Sequence, residues 1–208
     1  MGNNLKEVPD IVVGRLPVYL RALATMFTEG KQYTSSHELA QWLGISSAQI
    51  RKDLSHFGEF GKQGTGYSVS SLHDELRQIL QVDREWPLIV IGAGNIGSAV
   101  ASYSGFAQRG FRVVAMFDND PYKIGTRVGS FTVQSNQHLA SFARENHIRH
   151  AMIAVPAQFA QAVADLLVTS GIQGILNYAP INLSVPAQVH VENIDPVLHL
   201  QKMTYYLD

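Results

Sequence analysis

The chain has 208 residues, a mean hydropathy close to zero and a formal net charge of −1, and it contains no cysteine. This length suits one large domain or two small ones, and the missing thiols exclude disulfides, cysteine zinc sites and thiol redox switches. No apolar run approaches the roughly 20 residues of a membrane span and no signal-peptide pattern is present, so we expect a cytoplasmic protein.

The N-terminal region predicts one helix followed by a helix-turn-helix. Apolar residues recur at helical spacing at Leu16, Leu20, Leu23 and Phe27. Ser35 with Glu38, and Ser46 with Gln49, form two capping boxes, and each box predicts the start of a short helix. Gly44 lies where the first of these helices is expected to end. Two short helices joined in this way are typical of DNA-binding proteins.

The second of these helices carries the candidate DNA contacts. Its polar residues are Ser47, Gln49, Arg51, Lys52, Ser55 and His56. Arg51 and Lys52 suit phosphates or guanine, and Gln49 suits adenine. Glycines on both sides of Lys62 then predict a hairpin, the wing of a winged helix, with Lys62 at its tip. The alternative is a helix pair that only packs and presents an ordinary solvated face.

A dinucleotide fingerprint opens the second region. Residues 88–91 form a short apolar run, typical of a buried parallel strand, and a G-x-G-x-x-G sequence follows at once. This glycine loop consists of Gly92, Ala93, Gly94, Asn95, Ile96 and Gly97. A helical stretch comes next, and Asp118 ends the following apolar run. Strand, glycine loop, helix, strand and acid together predict the nucleotide-binding half of a Rossmann fold.

Each part of this fingerprint has a chemical role. Gly92 permits a tight turn, Gly94 lets a pyrophosphate approach the helix N-terminus, and Gly97 lets helix and strand pack closely. Asp118 suits the two hydroxyls of an unphosphorylated ribose and would repel a 2′-phosphate. The sequence therefore favours NADH and NAD⁺ over their phosphorylated forms.

Further βα units supply candidates for the nicotinamide side, because ligands of such sheets bind at the carboxyl ends of strands. The predicted strand ends supply Val155, Pro156, Asn177, Tyr178, Ala179 and Pro180. Ordinary loop chemistry explains these residues about equally well. Asp195 and Pro196 then begin a final amphipathic helix, which docks on its own domain or on a partner subunit.

No catalytic constellation accompanies the glycine loop. The eight histidines are scattered, and no Tyr-x-x-x-Lys pair is present. His147 and His150 have the spacing of metal ligands, but solvated loop residues are the better explanation, so we predict no metal site. Besides a DNA-binding regulator, two alternatives stay open. One is an NAD-dependent oxidoreductase with an N-terminal oligomerisation module, and the other is a nucleotide-binding structural subunit like the CoA-binding Rossmann domains.

With these residues in view, the chain resembles the Rex family of bacterial redox-sensing transcriptional repressors from end to end. The resemblance rests on residues 15–17, 49–58, 64–67, 92–97, 117–125, 174–180 and 192–195. His56 departs from it, since many members have tyrosine there.

The resemblance implies a homodimer that binds a palindromic operator, is released by NADH and binds NAD⁺ more weakly. It also implies a C-terminal helix exchanged between subunits, and one interacting set of Arg15, Tyr103 and Asp195 that responds to the nicotinamide. The predicted fold is α/β, with a winged-helix DNA-binding domain over 1–85, a Rossmann-like NAD(H)-binding domain over 86–193 and a dimerisation helix over 194–208. The expected role is regulatory, with no catalytic residue.

Overall fold

The chain divides into two compact units, Met1–Arg84 and Glu85–Asp208. The structure, a computed structural model, describes residues 8–62 and 65–207. The side chain of Lys62 and the residues at positions 63 and 64 lie outside the described part, so the predicted tip of the wing is not described.

The N-terminal unit is a winged helix, as the sequence predicts. Its elements are α1 (Asp10–Val13), α2 (Leu16–Thr28), β1 (Tyr33–Thr34), α3 (Ser36–Leu43), α4 (Ser47–Ser55), β2 (Gly61–Lys62), β3 (Gly66–Ser68) and α5 (Val69–Ile79). The strands form an antiparallel sheet in the order β1-β3-β2, with β2 and β3 as the two sides of the wing. Helices α3 and α4 meet at Gly44, whose backbone is left-handed (φ +67°), and this turn makes them the helix-turn-helix.

The core of this unit lies between α2 and the helices α3, α4 and α5. Buried members of this core include Leu16, Tyr19, Leu23, Met26, Leu39, Ile50, Leu54, Leu72 and Leu76. Each such side chain contributes about 1.5–3 kcal/mol when it leaves water. Phe27, predicted on the inner face of α2, is instead 56% exposed and stacks on His73. Tyr19 and Met26 are the fully buried residues of this face, while Leu20 packs against the core from its edge.

The stretch Asp10–Thr28 is long and apolar enough, by composition alone, to span a membrane. Its position in the fold explains that composition differently. The stretch consists of two helices separated at Gly14 and Arg15, and the inner face of the second lies in the core just described. We therefore interpret it as a core helix.

Both predicted N-caps are present, but each capping box is formed on one side only. Ser35 Oγ accepts from the N–H of Glu38 at 3.1 Å, and Ser46 Oγ accepts from the N–H of Gln49 at 3.1 Å. The Glu38 carboxylate binds Lys31 and Thr34 instead of returning to the cap residue. The Gln49 amide likewise bonds elsewhere, on its own helix.

The C-terminal unit is a doubly wound α/β domain. Its strands are β4 (Trp86–Ile91), β5 (Phe111–Asp118), β6 (Arg127–Val128), β7 (Phe131–Thr132), β8 (Gln134–Ser135), β9 (His150–Ile153), β10 (Gly174–Asn177) and β11 (His190–Asn193). Its α-helices are α6 (Asn95–Ala101), α7 (Leu139–Glu145), α8 (Ala157–Thr169) and α9 (Pro196–Thr204). A 3₁₀ turn over Asn136–His138 directly precedes α7.

Six of these strands form one sheet in the order β11-β10-β9-β4-β5-β8, and every pair in it is parallel. This is the Rossmann order, with the first strand of the domain, β4, in the middle. Strand order reverses between β4 and β9, so the chain leaves the sheet in opposite directions there. That reversal opens a crevice at the carboxyl ends of the two strands, which is where ligands of such sheets bind.

Helix α9 ends the described chain with its apolar side chains in solvent. None of its residues is buried, and Val197, Leu200 and Met203 on the helix and Leu207 just beyond it are between 53% and 74% exposed. Asp195 caps it through a 2.9 Å bond from the N–H of Val197 to Oδ1, as predicted. Within a single chain this helix has an apolar stripe that its own domain does not cover.

Candidate nucleotide site and nucleic-acid interface

A cleft of about 620 Å³ lies at the reversal point of the sheet, between the loops that follow β4 and β9. Nine of the residues predicted from the sequence line it: Gly92, Gly94, Asn95, Ile96, Asp118, Val155, Pro156, Tyr178 and Pro180. The loops after β4, β5, β9 and β10 are thus brought together at one edge of the sheet, as the parallel topology requires.

The glycine loop has the space that each predicted role needs. A Cβ added to Gly97 would lie 1.8 Å from the carbonyl oxygen of Gly92, so α6 can approach the loop only because residue 97 is glycine. A Cβ added to Gly94 would meet no protein atom within 4 Å. Gly94 is the N-cap of α6, and the first N–H groups of a helix have no acceptor inside it. These donors and the open space at Gly94 fit a dinucleotide pyrophosphate.

Asp118 ends β5 as a buried acceptor at the rim of the glycine loop. It is 6% exposed, and its Oδ2 accepts from the N–H of Ala93 at 2.7 Å while Oδ1 accepts from the N–H of Asp120 at 2.9 Å. Burial alone would raise the pKa of Asp118. The two backbone donors and the Lys123 ammonium, 3.3 Å from Oδ2, outweigh burial and hold the pKa below its ordinary value. Asp118 is therefore ionised at neutral pH and able to accept from a ribose hydroxyl.

The side of the cleft beyond β9 is apolar. Val155 and Pro156 follow β9, with Pro156 as the N-cap of α8, and Phe159 lies in the first turn of that helix. Tyr178 and Pro180 close the wall from the loop after β10. Burial raises the pKa of Tyr178, so its phenol is neutral. No charged side chain lines this part of the cleft within the residues that the structure describes.

Four other residues of the predicted set lie behind the cleft wall and do not line it. Gly97 is packed under the loop, and the N–H of Ala93 is bonded to Asp118. Asn177 is fully buried, and its amide donates to the carbonyls of Ala179 and Ile181 and to Oδ1 of Asn193. The N–H of Ala179 returns a bond to Oδ1 of Asn177. In the structure Asn177 and Ala179 hold the loop that presents Tyr178 and Pro180.

The predicted DNA contacts lie on α4 and at its C-terminal end, and most of them are exposed. Arg51, Lys52, Ser55 and His56 are exposed, whereas Ser47 and Gln49 are half-buried. Arg51 Nη1 donates to Ser36 Oγ at 3.0 Å, and Ser55 Oγ donates to the carbonyl of Lys52 at 2.7 Å. The two exposed cations are consecutive on the helix that a winged helix offers to DNA.

The opposite side of α4 carries Asp53, a carboxylate that solvent does not reach. Arg15 donates to it twice, from Nε at 2.6 Å and from Nη2 at 2.7 Å. Tyr19 Oη donates at 2.6 Å, and Gln49 Nε2 donates at 2.7 Å. Burial alone would raise the pKa of Asp53, but these four bonds outweigh it and lower the pKa. Asp53, which interrupts the basic sequence of α4, therefore ties α4 to α2.

The three residues expected to form an interacting set each have a partner of their own. Arg15 pairs with Asp53 in the N-terminal unit, and Asp195 caps α9. Tyr103 is 51% exposed, accepts from Arg109 Nη1 at 3.1 Å and stacks edge-on against Phe106. Within the described part of the chain no hydrogen bond joins Tyr103 to Asp195. Their joint response to the nicotinamide stays a prediction.

Sequence reasoning missed Lys123 as a cleft residue and Asp53 as an organising one. Lys123 lines the cleft beside Asp118, five residues after it in the chain, and a basic residue so close to the ribose acid was an available signal. Asp53 gave a weaker signal, because only Gln49 lies within a helical turn of it and its other partners, Tyr19 and Arg15, lie 34 and 38 positions earlier. Across the described ranges, no group of three or more His, Cys, Asp or Glu side chains is arranged to hold a metal ion.

Two protein-family models match the chain. Residues 7–55 match a family described as "Putative DNA-binding protein N-terminus", and residues 83–181 match the family described as "CoA binding domain".

Curated relatives match it over nearly its whole length. A protein of Roseiflexus sp. (strain RS-1) is 50% identical over 205 residues, which cover 99% of this chain and 93% of the relative. A protein of Chloroflexus aurantiacus is 50% identical over 199 residues, covering 96% and 94%. Both are named redox-sensing transcriptional repressor Rex.

Solved structures agree with these relatives. The structure of RSP in complex with β-NAD⁺ and operator DNA matches with a TM-score of 0.91 and 38% identity, over 96% of this chain and 92% of that one. RSP in complex with β-NADH matches with a TM-score of 0.88 and 35% identity, over 97% and 95%. RSP is described as a Rex-family repressor.

Proposed function

The chain belongs to the Rex family of redox-sensing transcriptional repressors, and on that premise we propose that it binds operator DNA as a homodimer and leaves the DNA when NADH occupies its cleft. The observation that carries this proposal is the presence of a winged helix and a dinucleotide cleft in one chain that matches such repressors end to end. The protein is a regulator and not an enzyme, and we infer that it acts in the cytoplasm.

The DNA contact is assigned to α4 and the wing. Arg51 and Lys52 supply cations for phosphates or guanine, with Ser47, Gln49, Ser55 and His56 around them and Lys62 on the wing. The four-bond anchor at Asp53 on the other side of α4 supports this assignment, because a helix that reads DNA needs a fixed orientation.

The effector contact is assigned to the cleft. Its glycine loop suits the pyrophosphate, Asp118 suits the adenosine ribose, and the apolar wall of Val155, Pro156 and Tyr178 suits the nicotinamide. NAD⁺ differs from NADH by one positive charge on that ring. Because an apolar wall gives no compensation for a buried charge, the cleft favours the neutral, reduced ring.

The two sites are linked through the dimer. Two recognition helices must lie about 34 Å apart to read two half-sites of a palindrome. A ligand that favours a different spacing abolishes DNA binding without touching α4, and only to the extent that its affinity differs between the two states. The exposed apolar stripe of α9 supports an interface between subunits, formed by exchange of this helix, with Arg15, Tyr103 and Asp195 as the set that responds to the ring.

The test is fluorescence anisotropy of the full chain on a labelled palindromic operator, titrated separately with NADH and NAD⁺. The proposal predicts release by NADH at concentrations at which NAD⁺ has little effect. Specific DNA binding that ignores both nucleotides would leave a repressor with another effector. Tight NADH binding without any DNA binding would favour an oxidoreductase instead.

A further inference from the structure

The ribose acid of the cleft already has most of its acceptor positions filled. A carboxylate offers about four lone-pair sites to donors. Asp118 uses one for the N–H of Ala93, one for the N–H of Asp120 and one for the Lys123 ammonium at 3.3 Å. One site is left, whereas a ribose held through both of its hydroxyls needs two. Lys123 therefore occupies a place that the sequence assigned to the nucleotide.

Lys123 is free to turn from Asp118 towards a ligand. Its side chain is 41% exposed and lines the cleft, and its ammonium lies 3.9 Å from Oδ2 of Asp120. An ammonium group has three donors on a flexible four-carbon stem, so it can exchange one acceptor for another without moving the backbone. The two backbone bonds to Asp118 keep the carboxylate in place when the lysine turns.

The charges around the ribose position determine how this exchange affects the binding of a 2′-phosphate. Among the described residues that line the cleft, the charged side chains are Asp118 at the end of β5 and Asp120 and Lys123 on the loop that follows it. Asp118 alone would repel a 2′-phosphate, which is the sequence expectation. A cation in contact with that same carboxylate offsets the repulsion and supplies a charge-assisted donor to the phosphate.

We propose that Lys123 is a specificity-determining residue of the cleft, which lets the site bind the 2′-phosphorylated dinucleotide NADPH more weakly than NADH but measurably. This inference rests on the proposed function, because it takes NADH as the ligand of the cleft. Lys123 moderates the rejection of the phosphate rather than creating a preference for it, since the local charge with both carboxylates ionised is still −1. The regulator then responds to NADPH when that nucleotide is in large excess over NADH.

The test is isothermal titration calorimetry of the full chain, without DNA, with NADH and with NADPH. In the Lys123→Met variant the ratio of the NADPH to the NADH dissociation constant is expected to rise about tenfold, a change of about 1.4 kcal/mol. The rise comes from weaker NADPH binding, because the freed site on Asp118 remains available to a ribose hydroxyl. Lys123→Arg keeps the cation and a fork that suits phosphate, so its ratio should stay at or below that of the unaltered protein.

The control is Arg127→Met, which removes the same charge from the same exposed segment but does not line the cleft. The ratio of the NADPH to the NADH dissociation constant should not change in this variant. A comparison of the affinities of 2′,5′-ADP and 5′-AMP isolates the ribose end of the ligand, since the two differ only in the 2′-phosphate. Lys123→Met should raise the ratio of their dissociation constants in the same direction as that of NADPH to NADH.

Two results would overturn this inference and leave the proposed function standing. One is a ratio in Lys123→Met within twofold of the unaltered protein, including the case in which both nucleotides weaken equally because the lysine only supports Asp118. The other is a failure of NADPH to compete with NADH for the unaltered protein at any concentration at which NADPH is soluble. Failure of the unaltered protein to bind NADH at all would instead overturn the proposed function, and this inference with it.

Discussion

Asp53 is the residue on which the orientation of the recognition helix depends most. It is fully buried and accepts four hydrogen bonds, so all of its acceptor sites are used. Removal of its charge leaves Arg15 without its partner, and breaking a buried pair on one side costs about 3–5 kcal/mol. The cost should lie near 3 kcal/mol here, because the Arg15 side chain keeps 23% of its surface exposed.

We therefore expect Asp53→Asn to lower the free energy of unfolding by about 3 kcal/mol, measured by urea denaturation. The double variant Arg15→Met with Asp53→Asn should lose less than the sum of the two single changes. Additive losses would show that the pair is not coupled, and the anchor described for α4 would then be wrong.

We expect His150 to make the C-terminal unit less stable in mild acid. Its ring lies between Trp86 and Phe111, and its buried Nδ1 has no partner among the described residues. Burial, with help from the charge of Arg149, holds the pKa of His150 below its ordinary value of 6.5. Below pH 6.5 the unfolded chain binds a proton that the folded chain refuses, so the free energy of unfolding decreases as the pH falls.

The expected result is a loss of stability between about pH 8 and pH 5.5 that disappears in His150→Gln. Urea denaturation across this range measures it, and the exposed His138→Gln provides the matched control, whose slope should equal that of the unaltered protein. An unchanged slope in His150→Gln would assign the acid sensitivity to another group.

In the glycine loop and α6, one glycine is needed for the fold itself and another is needed only for binding the nucleotide. Gly97→Ala places a methyl group 1.8 Å from the carbonyl oxygen of Gly92, so the loop must move, at a cost of about 1–3 kcal/mol. Gly94→Ala meets no protein atom within 4 Å and should leave stability nearly unchanged.

Both variants should bind NADH at least tenfold more weakly. The methyl group of Gly94→Ala would occupy the space of the pyrophosphate, and that of Gly97→Ala would displace the loop that binds it. Thermal unfolding measures the stability of the two variants, and titration with NADH measures their affinity for the nucleotide. Full NADH affinity in Gly94→Ala would mean that the pyrophosphate does not approach this loop.

Helix α9 has an exposed apolar stripe that the proposed function assigns to an interface with a second subunit. Replacement of Leu200 and Met203 by Asp puts charges into its exposed apolar stripe and should convert the dimer into a 22.9 kDa monomer that no longer binds the operator. Gln201→Asp introduces the same aspartate side chain at a neighbouring position of the same helix, and it should leave the dimer intact. Light scattering distinguishes the two, and a dimer that survives the double change would place the interface elsewhere.

Local patterns predicted most elements, and contacts between distant residues decided the rest. The glycine loop and Asp118 follow one another within a single βαβ unit, so spacing alone predicted their meeting. The inner face of α2 was misjudged at Phe27, because helical spacing fits Leu20 and Phe27 as well as Tyr19 and Met26, and only Asp53 favours Tyr19. Asn177 was assigned to the ligand from its position, but its amide completes a loop whose partners lie up to 16 residues away.

The whole chain combines a DNA-binding unit and a nucleotide-binding unit in one regulator. The sequence predicted both units from separate motifs, whereas the proposed coupling came only from the family resemblance, because that proposal requires a second subunit. The coupling must be reciprocal: a nucleotide that weakens DNA binding is itself bound more weakly by the DNA complex, by the same factor.

NADH is proposed to act through the cleft of the C-terminal unit, and a titration of the operator complex distinguishes this cleft from any other site of action. Operator-bound protein and the operator-bound Gly94→Ala variant are titrated with NADH, and anisotropy follows the labelled DNA. The account predicts that NADH releases the unaltered protein and leaves the variant, folded and equally tight on DNA, in place. Release of both at the same NADH concentration would contradict it, because NADH would then act outside this cleft.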